Sequence, residues 1–343
     1  MTILPQLSII VATLNSEKNL SAVLGAIKKQ TYPQLKIHVI IVDGGSTDNT
    51  IKIAESYGCD IKRNPHVLPG IAKHIGLKTA ASKYVMFLDS DEELVSPRSI
   101  ERKMNVLLHD SSVHAVTGSG YINPPNYSFL NAYLSDFGDP FTFFYYRPTR
   151  NYRLFVESMK QNNNRVFENE DHLVLGFDKS IGSSIFELVA MGSIVDVSYI
   201  NKVHPDIKKT PGLVPHIFQF LVSKGARIGI VKNDPIYHYS TDSLSSYLRK
   251  IRSRIISNVF TESKDGFNGR SRLLSINKSK KYLYLPYAFS VLVPLLDAAY
   301  LSISRRNIRY MIHLPLTLYT AVLILYYFSA KRLGVRYSSN RYG

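Results

Sequence analysis

The chain has 343 residues, with 42 Lys plus Arg against 26 Asp plus Glu and a single cysteine. One cysteine, Cys59, excludes an internal disulfide and a cysteine-cluster metal site. The formal charge of +16 points to anionic partners: nucleic acid, phosphorylated substrates or an acidic membrane surface. The N-terminal Met1-Thr-Ile-Leu-Pro-Gln has no basic region ahead of an apolar stretch, so no signal peptide is expected.

The first predicted element is a buried strand, Leu7-Ser-Ile-Ile-Val-Ala12. Thr13-Leu-Asn-Ser-Glu-Lys-Asn19 supplies cap residues and an acid for a helix start. Leu20, Val23, Leu24 and Ile27 then recur at helical spacing, ending near Tyr32-Pro33. A second strand, Ile37–Val42, runs into Asp43-Gly-Gly-Ser-Thr-Asp-Asn-Thr50, where the glycines permit a tight turn and close ligand approach. Ser46 or Thr47 is expected to cap the next helix, with Asp48 in its first turn. A short strand at Ile61–Asn64, a helix at Gly70–Thr79 and a strand ending at Asp89 complete a βαβαβαβ alternation, which implies a doubly wound parallel sheet.

The last strand belongs to the run Tyr84-Val-Met-Phe-Leu-Asp-Ser-Asp-Glu-Glu93. Its acids fall at the C-terminal edge, where open α/β sheets place ligands. Asp89 and Asp91 are two apart, so they can converge on one hard cation and a diphosphate. The plainer alternative is an acidic turn.

Four pieces in order carry a family resemblance: Ser8-Ile-Ile-Val-Ala-Thr-Leu-Asn15 with Glu17, Val42-Asp-Gly-Gly-Ser-Thr-Asp-Asn-Thr50, Gly70-Ile-Ala-Lys73 and Phe87-Leu-Asp-Ser-Asp91. Leu7 to about Leu94 resembles the nucleotide-binding half of a family 2 glycosyltransferase with the GT-A fold. The resemblance continues more loosely to about Arg254. It implies that Asp43 contacts the nucleotide base, that Thr13 and Glu17 belong to the loop around base and ribose, and that Lys73 faces the nucleotide. It further implies Asp89 as the ribose-side acid and Asp91 as a ligand of Mg²⁺ or Mn²⁺ on the diphosphate of a UDP- or GDP-sugar. The plainer alternatives are a turn and cap for Asp43, Ser46 and Asp48, and a solvated helix charge for Lys73. His74 replaces an asparagine common in the family.

Inversion, which the resemblance also implies, needs a base for the acceptor hydroxyl. Related enzymes usually carry an acidic pair about ten residues before a glycine; here that glycine is Gly225, and Thr210–Gln219 holds no such pair. Asp206 is the first substitute, His216 the second and Glu170-Asp171 the third. Pro235-Ile-Tyr-His-Tyr239 resembles the family's C-terminal Tyr-His element, making His238 a second metal ligand beside Asp91; a core histidine is the alternative. Downstream, Arg249, Lys250, Arg252 and Arg254 are candidates to touch the diphosphate, a lipid phosphate or anionic headgroups, and Arg249 is the one assigned to the donor.

The aromatics of Asp136–Arg147 suit a membrane interface, an isoprenoid groove or an aromatic core patch. Tyr282–Ile303 and Tyr310–Ala330 are each near the ~20 residues that span a bilayer. Pro286, Pro294 and Asp297 interrupt the first, and basic residues flank both, so the positive-inside rule cannot put every group on one side of two full spans. The expected division is 1–116 for the nucleotide-sugar half, 117–277 for the acceptor half and 278–343 for a membrane-associated helix pair with a basic tail. The expected protein is a membrane-bound inverting glycosyltransferase facing the cytoplasm, with a lipid-linked or membrane-proximal glycan as acceptor and no nucleic acid partner. The alternatives are a polyprenyl-phosphate sugar synthase and a non-catalytic sugar-nucleotide scaffold.

Overall fold

The computed structural model describes residues 4–177, 188–260 and 278–337. These form two compact units: residues up to 124 with 151–239, and residues 125–150 with 240 onward. Compactness therefore divides the chain differently from the expected 1–116, 117–277 and 278–343, because strands from 113 to 231 complete the first unit's sheet.

In the first unit, β1 (Leu7–Thr13) lies between β2 (Ile37–Asp43) and β4 (Tyr84–Asp89), parallel to both, with β3 (Asp60–Arg63) beside β2. Leu7, Ile9, Ile10 and Val11 are wholly buried, as expected of a parallel strand covered on both faces. Helix α1 (Glu17–Lys28) buries the predicted stripe Leu20, Val23, Leu24 and Ile27. Helix α2 spans Thr50–Ser56 and α3 spans Pro69–Thr79. The start of α2 differs from expectation: Asn49, rather than Ser46 or Thr47, holds the cap position, its side chain making no capping bond, and Asp48 before it accepts the Thr50 amide at 3.0 Å. Ser46 is drawn away because its hydroxyl is committed to Asp43.

Helix α3 sits close on the sheet because Gly76 has no side chain. A Cβ there would lie 2.3 Å from Ile10 Cγ2. Gly76→Ala is expected to destabilise the protein by about 1–3 kcal/mol through overpacking, outweighing alanine's helix preference. Urea denaturation checks this; an unchanged midpoint would show that Ile10 yields freely.

The sheet is not wholly parallel. Nine strands run in the order β3-β2-β1-β4-β10-β6-β11-β9-β8. β10 (Ser193–Asp196) inserts antiparallel between β4 and β6 (Val113–Thr117), while β11 (Arg227–Val231) is parallel to β6. β9 (His172–Gly176) pairs antiparallel with both β11 and β8 (Asn164–Glu168). A smaller sheet sets β12 (Ile236–His238) between β5 (Glu92–Leu94) and β7 (Tyr121–Ile122). Beneath it, Lys103 on α4 (Ser99–His109) is fully buried 3.0 Å from buried Asp234.

The second unit is helical: α5 (Phe129–Phe137), α6 (Pro140–Tyr146), α7 (Leu244–Phe260), α8 (Tyr284–Phe289), α9 (Leu292–Ser304) and α10 (His313–Arg332). The aromatic segment is core, not an open groove. Phe137, Phe143, Phe144, Tyr145 and Tyr146 are all buried. Phe137 meets Phe143 and Tyr310 edge-on, and Phe144 packs on Tyr284 and Tyr287. Gly138, at φ 87°, makes the corner that folds α6 back.

Of the two expected membrane segments, the first is a bent pair, apolar enough to cross only if its two halves count as one span. Ser279–Phe289 and Leu292–Ser304 are bent by 90° at their junction, where Val291 takes φ 56°. Of the described residues, Ile308–Arg332 is the one helix long and apolar enough to cross a membrane.

Candidate active site

The register of the parallel strands assembles the site. Thr13 lies beside Asp43, and Ala12 beside Asp89, so the loops after β1, β2 and β4 leave the sheet on one rim. Thr13 Oγ1 donates to Asp43 Oδ1 at 3.0 Å. Asp43 also accepts the Gly45 and Ser46 amides, each at 2.8 Å, and the Ser46 hydroxyl. Four donors use about all a carboxylate can accept, so Asp43 fixes the shape of the Gly44–Ser46 turn. Glu17 Oε2 accepts the backbone and side-chain nitrogens of Asn49 at 3.0 and 2.9 Å, and Asp48 accepts the Glu17 amide in return. Ser16 and Ser90 hydroxyls, 2.9 Å apart, join these loops to the end of β4.

At that end, buried Lys73 on α3 places Nζ 2.6 Å from Asp89 Oδ1. Burial raises the Asp89 pKa and the Asp91 carboxylate adds to this, while Lys73 opposes both. His238 Nε2 lies 3.6 Å from Asp91 Oδ2. Pairing of β12 with β5 sets this geometry, opposing His238 to Glu92, and the Tyr239 amide donates to the Asp91 carbonyl at 2.8 Å. The His238 ring stacks on Tyr121, centroids 4.5 Å apart.

Glu92 is a supporting residue that the sequence did not reveal. Fully buried, it accepts the Asp89 amide at 3.0 Å, the Met191 amide at 2.9 Å and the Tyr121 hydroxyl. Burial is the main cause of its raised pKa, with Asp89 adding to it. It pins the turn carrying Asp89 and Asp91. Glu93, next to it, accepts the Tyr239 hydroxyl. Tyr121, Met191 and Tyr239 are all distant in sequence, so the acid run alone gave no signal beyond charge.

Asp91 and His238 together offer two ligands. No group of three or more His, Cys, Asp or Glu able to hold a metal occurs among the described residues.

The three base candidates fall on separate segments of the first unit. Asp206 is exposed and paired with Lys209 at 3.2 Å. Neighbouring Lys208 reaches the Ala80 carbonyl at 3.4 Å. His216 is buried, ending the turn Pro211–His216 that packs on α3. Glu170 and Asp171 occupy the exposed β8–β9 turn. Next to them, Lys232, Lys160 and Arg165 lower the Glu168 pKa to about 2. Arg249 is exposed on α7, in the second unit.

Residues 8–172 match the family model described as Glycosyl transferase family 2. The chain carries a family 2 glycosyltransferase domain. The poly(ribitol-phosphate) beta-N-acetylglucosaminyltransferase TarS of Staphylococcus aureus is 36% identical over 91 residues, 25% of this chain and 16% of that protein. A GalNAc(5)-diNAcBac-PP-undecaprenol beta-1,3-glucosyltransferase of Campylobacter jejuni is 33% identical over 100 residues, 27% of this chain and 32% of that protein. The matches therefore span less than a third of these relatives' own lengths. The mannosyltransferase PcManGT of Pyrobaculum calidifontis, solved with GDP-Man and Mn²⁺, covers 96% of this chain and 89% of its own, at TM-score 0.54 and 14% identity. The shared fold is GT-A-like, with a mixed sheet around the family 2 domain's rim.

Proposed function

We propose that the family 2 domain transfers a sugar, with inversion, from a UDP- or GDP-sugar to a lipid-linked or membrane-proximal glycan on the cytoplasmic side of a membrane. The observation that carries this is the cluster of Lys73, Asp89, Asp91 and His238 at the C-terminal end of β4. Asp91 and His238 would hold Mg²⁺ or Mn²⁺, which neutralises charge developing on the diphosphate leaving group. Lys73 fixes Asp89 for the ribose. Thr13 and Asp43 hold the base-side turn in shape, and Glu17 ties it to the loop after β1. For a hydroxyl acceptor, His216 suits the base role better than Asp206: it lies against the helix that carries Lys73, whereas Asp206 is solvent-exposed and ion-paired.

A second reading takes a polyprenyl phosphate as acceptor. The lack of an acidic pair in Thr210–Gln219 favours it, because a phosphate needs little proton abstraction. Product formed with polyprenyl phosphate as sole acceptor would select it, and no product would remove it.

The main test uses full-length protein in detergent with UDP- and GDP-sugars. One donor is expected to bind and turn over with Mn²⁺ or Mg²⁺, and EDTA to lower turnover at least about tenfold. Folded protein that binds no donor would replace this reading with a non-catalytic scaffold.

A further inference from the structure

The second unit presents an apolar helix face to solvent. On α9, Leu292, Leu296, Tyr300 and Ile303 recur at helical spacing and are 61%, 61%, 60% and 77% exposed. The opposite face is engaged: Ala298 and Leu301 are buried, and Asp297 takes Arg147 at 2.6 Å and the Tyr287 hydroxyl at 2.7 Å. Asp297, costly in lipid if unpaired, is therefore turned inward and neutralised. Thirteen residues of α9 extend about 20 Å, short of the ~30 Å hydrocarbon core. The 90° bend stops α8 from continuing it.

Helix α10 has the length to cross but is tied to a polar neighbour. Arg252 on α7 donates to the Tyr327 hydroxyl at 2.6 Å, and Lys331 donates to the Val259 carbonyl. A crossing α10 would take α7 with it, bringing Arg249, Lys250, Arg252 and Arg254 toward hydrocarbon. Exposed cations also stand beside α9 and α10: Arg306 and Arg309 after α9, Lys331, Arg332 and Arg336 around the end of α10. An apolar strip edged by cations complements an anionic bilayer surface.

We propose that the second unit docks into one leaflet of an anionic bilayer through the exposed face of α9, with no helix crossing. This deepens the membrane-proximal reading above, and it is read without substrate, so failure of either leaves the other standing.

Purified full-length protein is floated with phosphatidylcholine vesicles with or without phosphatidylglycerol. Binding is expected to the anionic vesicles and to fall at least about tenfold in Leu296→Asp/Ile303→Asp, with circular dichroism unchanged. On a Cys59→Ser background, single cysteines replacing Leu35, Arg306 and Leu333 are labelled in vesicles with a membrane-impermeant maleimide. All three are expected to react from the same side. Labelling of Arg306→Cys and Leu333→Cys from opposite sides would overturn the proposal in favour of a spanning α10. Absence of binding to any vesicle, with light scattering showing a dimer, would overturn it in favour of a face covered by a second copy.

Discussion

Asp91→Asn lowers donor turnover by about a hundredfold or more and leaves the unfolding midpoint nearly unchanged. The backbone around Asp91 is held without its side chain: its carbonyl accepts the Tyr239 amide, and Glu92 anchors the preceding turn. The substitution keeps the side chain's shape and removes one negative charge from the pair with His238. The loss belongs in kcat/KM, with added metal recovering only part of it. His238→Gln moves in the same direction with a smaller effect, since a neutral amide still offers an oxygen. Full turnover in Asp91→Asn, in an assay where wild type is metal-dependent, would remove Asp91 as a ligand.

Lys103→Ala destabilises the protein by about 3–5 kcal/mol, because it strands a buried carboxylate. Lys103 and Asp234 are both inaccessible and 3.0 Å apart, and Ser99 bonds to each at 2.9 Å. The same Asp234 backbone takes the Ser119 amide and donates to the Ser119 hydroxyl, so the pair fastens α4 to the segment leading into β12. Because β12 carries His238, donor affinity falls together with stability. Urea denaturation reads the first effect and donor binding the second. The double variant Lys103→Met/Asp234→Leu recovers most of the stability, as an apolar pair of similar volume does elsewhere. A single-variant loss under about 1 kcal/mol would mean that water reaches Asp234.

The nucleotide half was legible because its signals are local. Continuous apolar runs such as Leu7–Ala12 can satisfy burial on both faces only as parallel strands, and the polar ends of three such strands necessarily share a rim. Period 3.6 in Leu20–Ile27 named the helix between them. The sequence by itself thus determined the alternating half-sheet and put Thr13, Asp43 and Asp89 at its edge. What lies outside that reach depends on contacts between distant segments. Asp91 and His238 are 147 positions apart and meet because β12 pairs with β5. The antiparallel β10 sits between β4 and β6, and nothing in Ser193–Asp196 indicates either neighbour. The aromatics of α6 read equally as lipid-facing or buried, since burial depends on whether other helices cover them. Asp206 is a base candidate by sequence as a carboxylate a few residues upstream of Thr210–Gln219, but its exposure and its pairing with Lys209 emerge only in the fold. Tertiary structure decided these points because a side chain's type states what environment it needs, whereas chain pairing over long separations decides which partner supplies it.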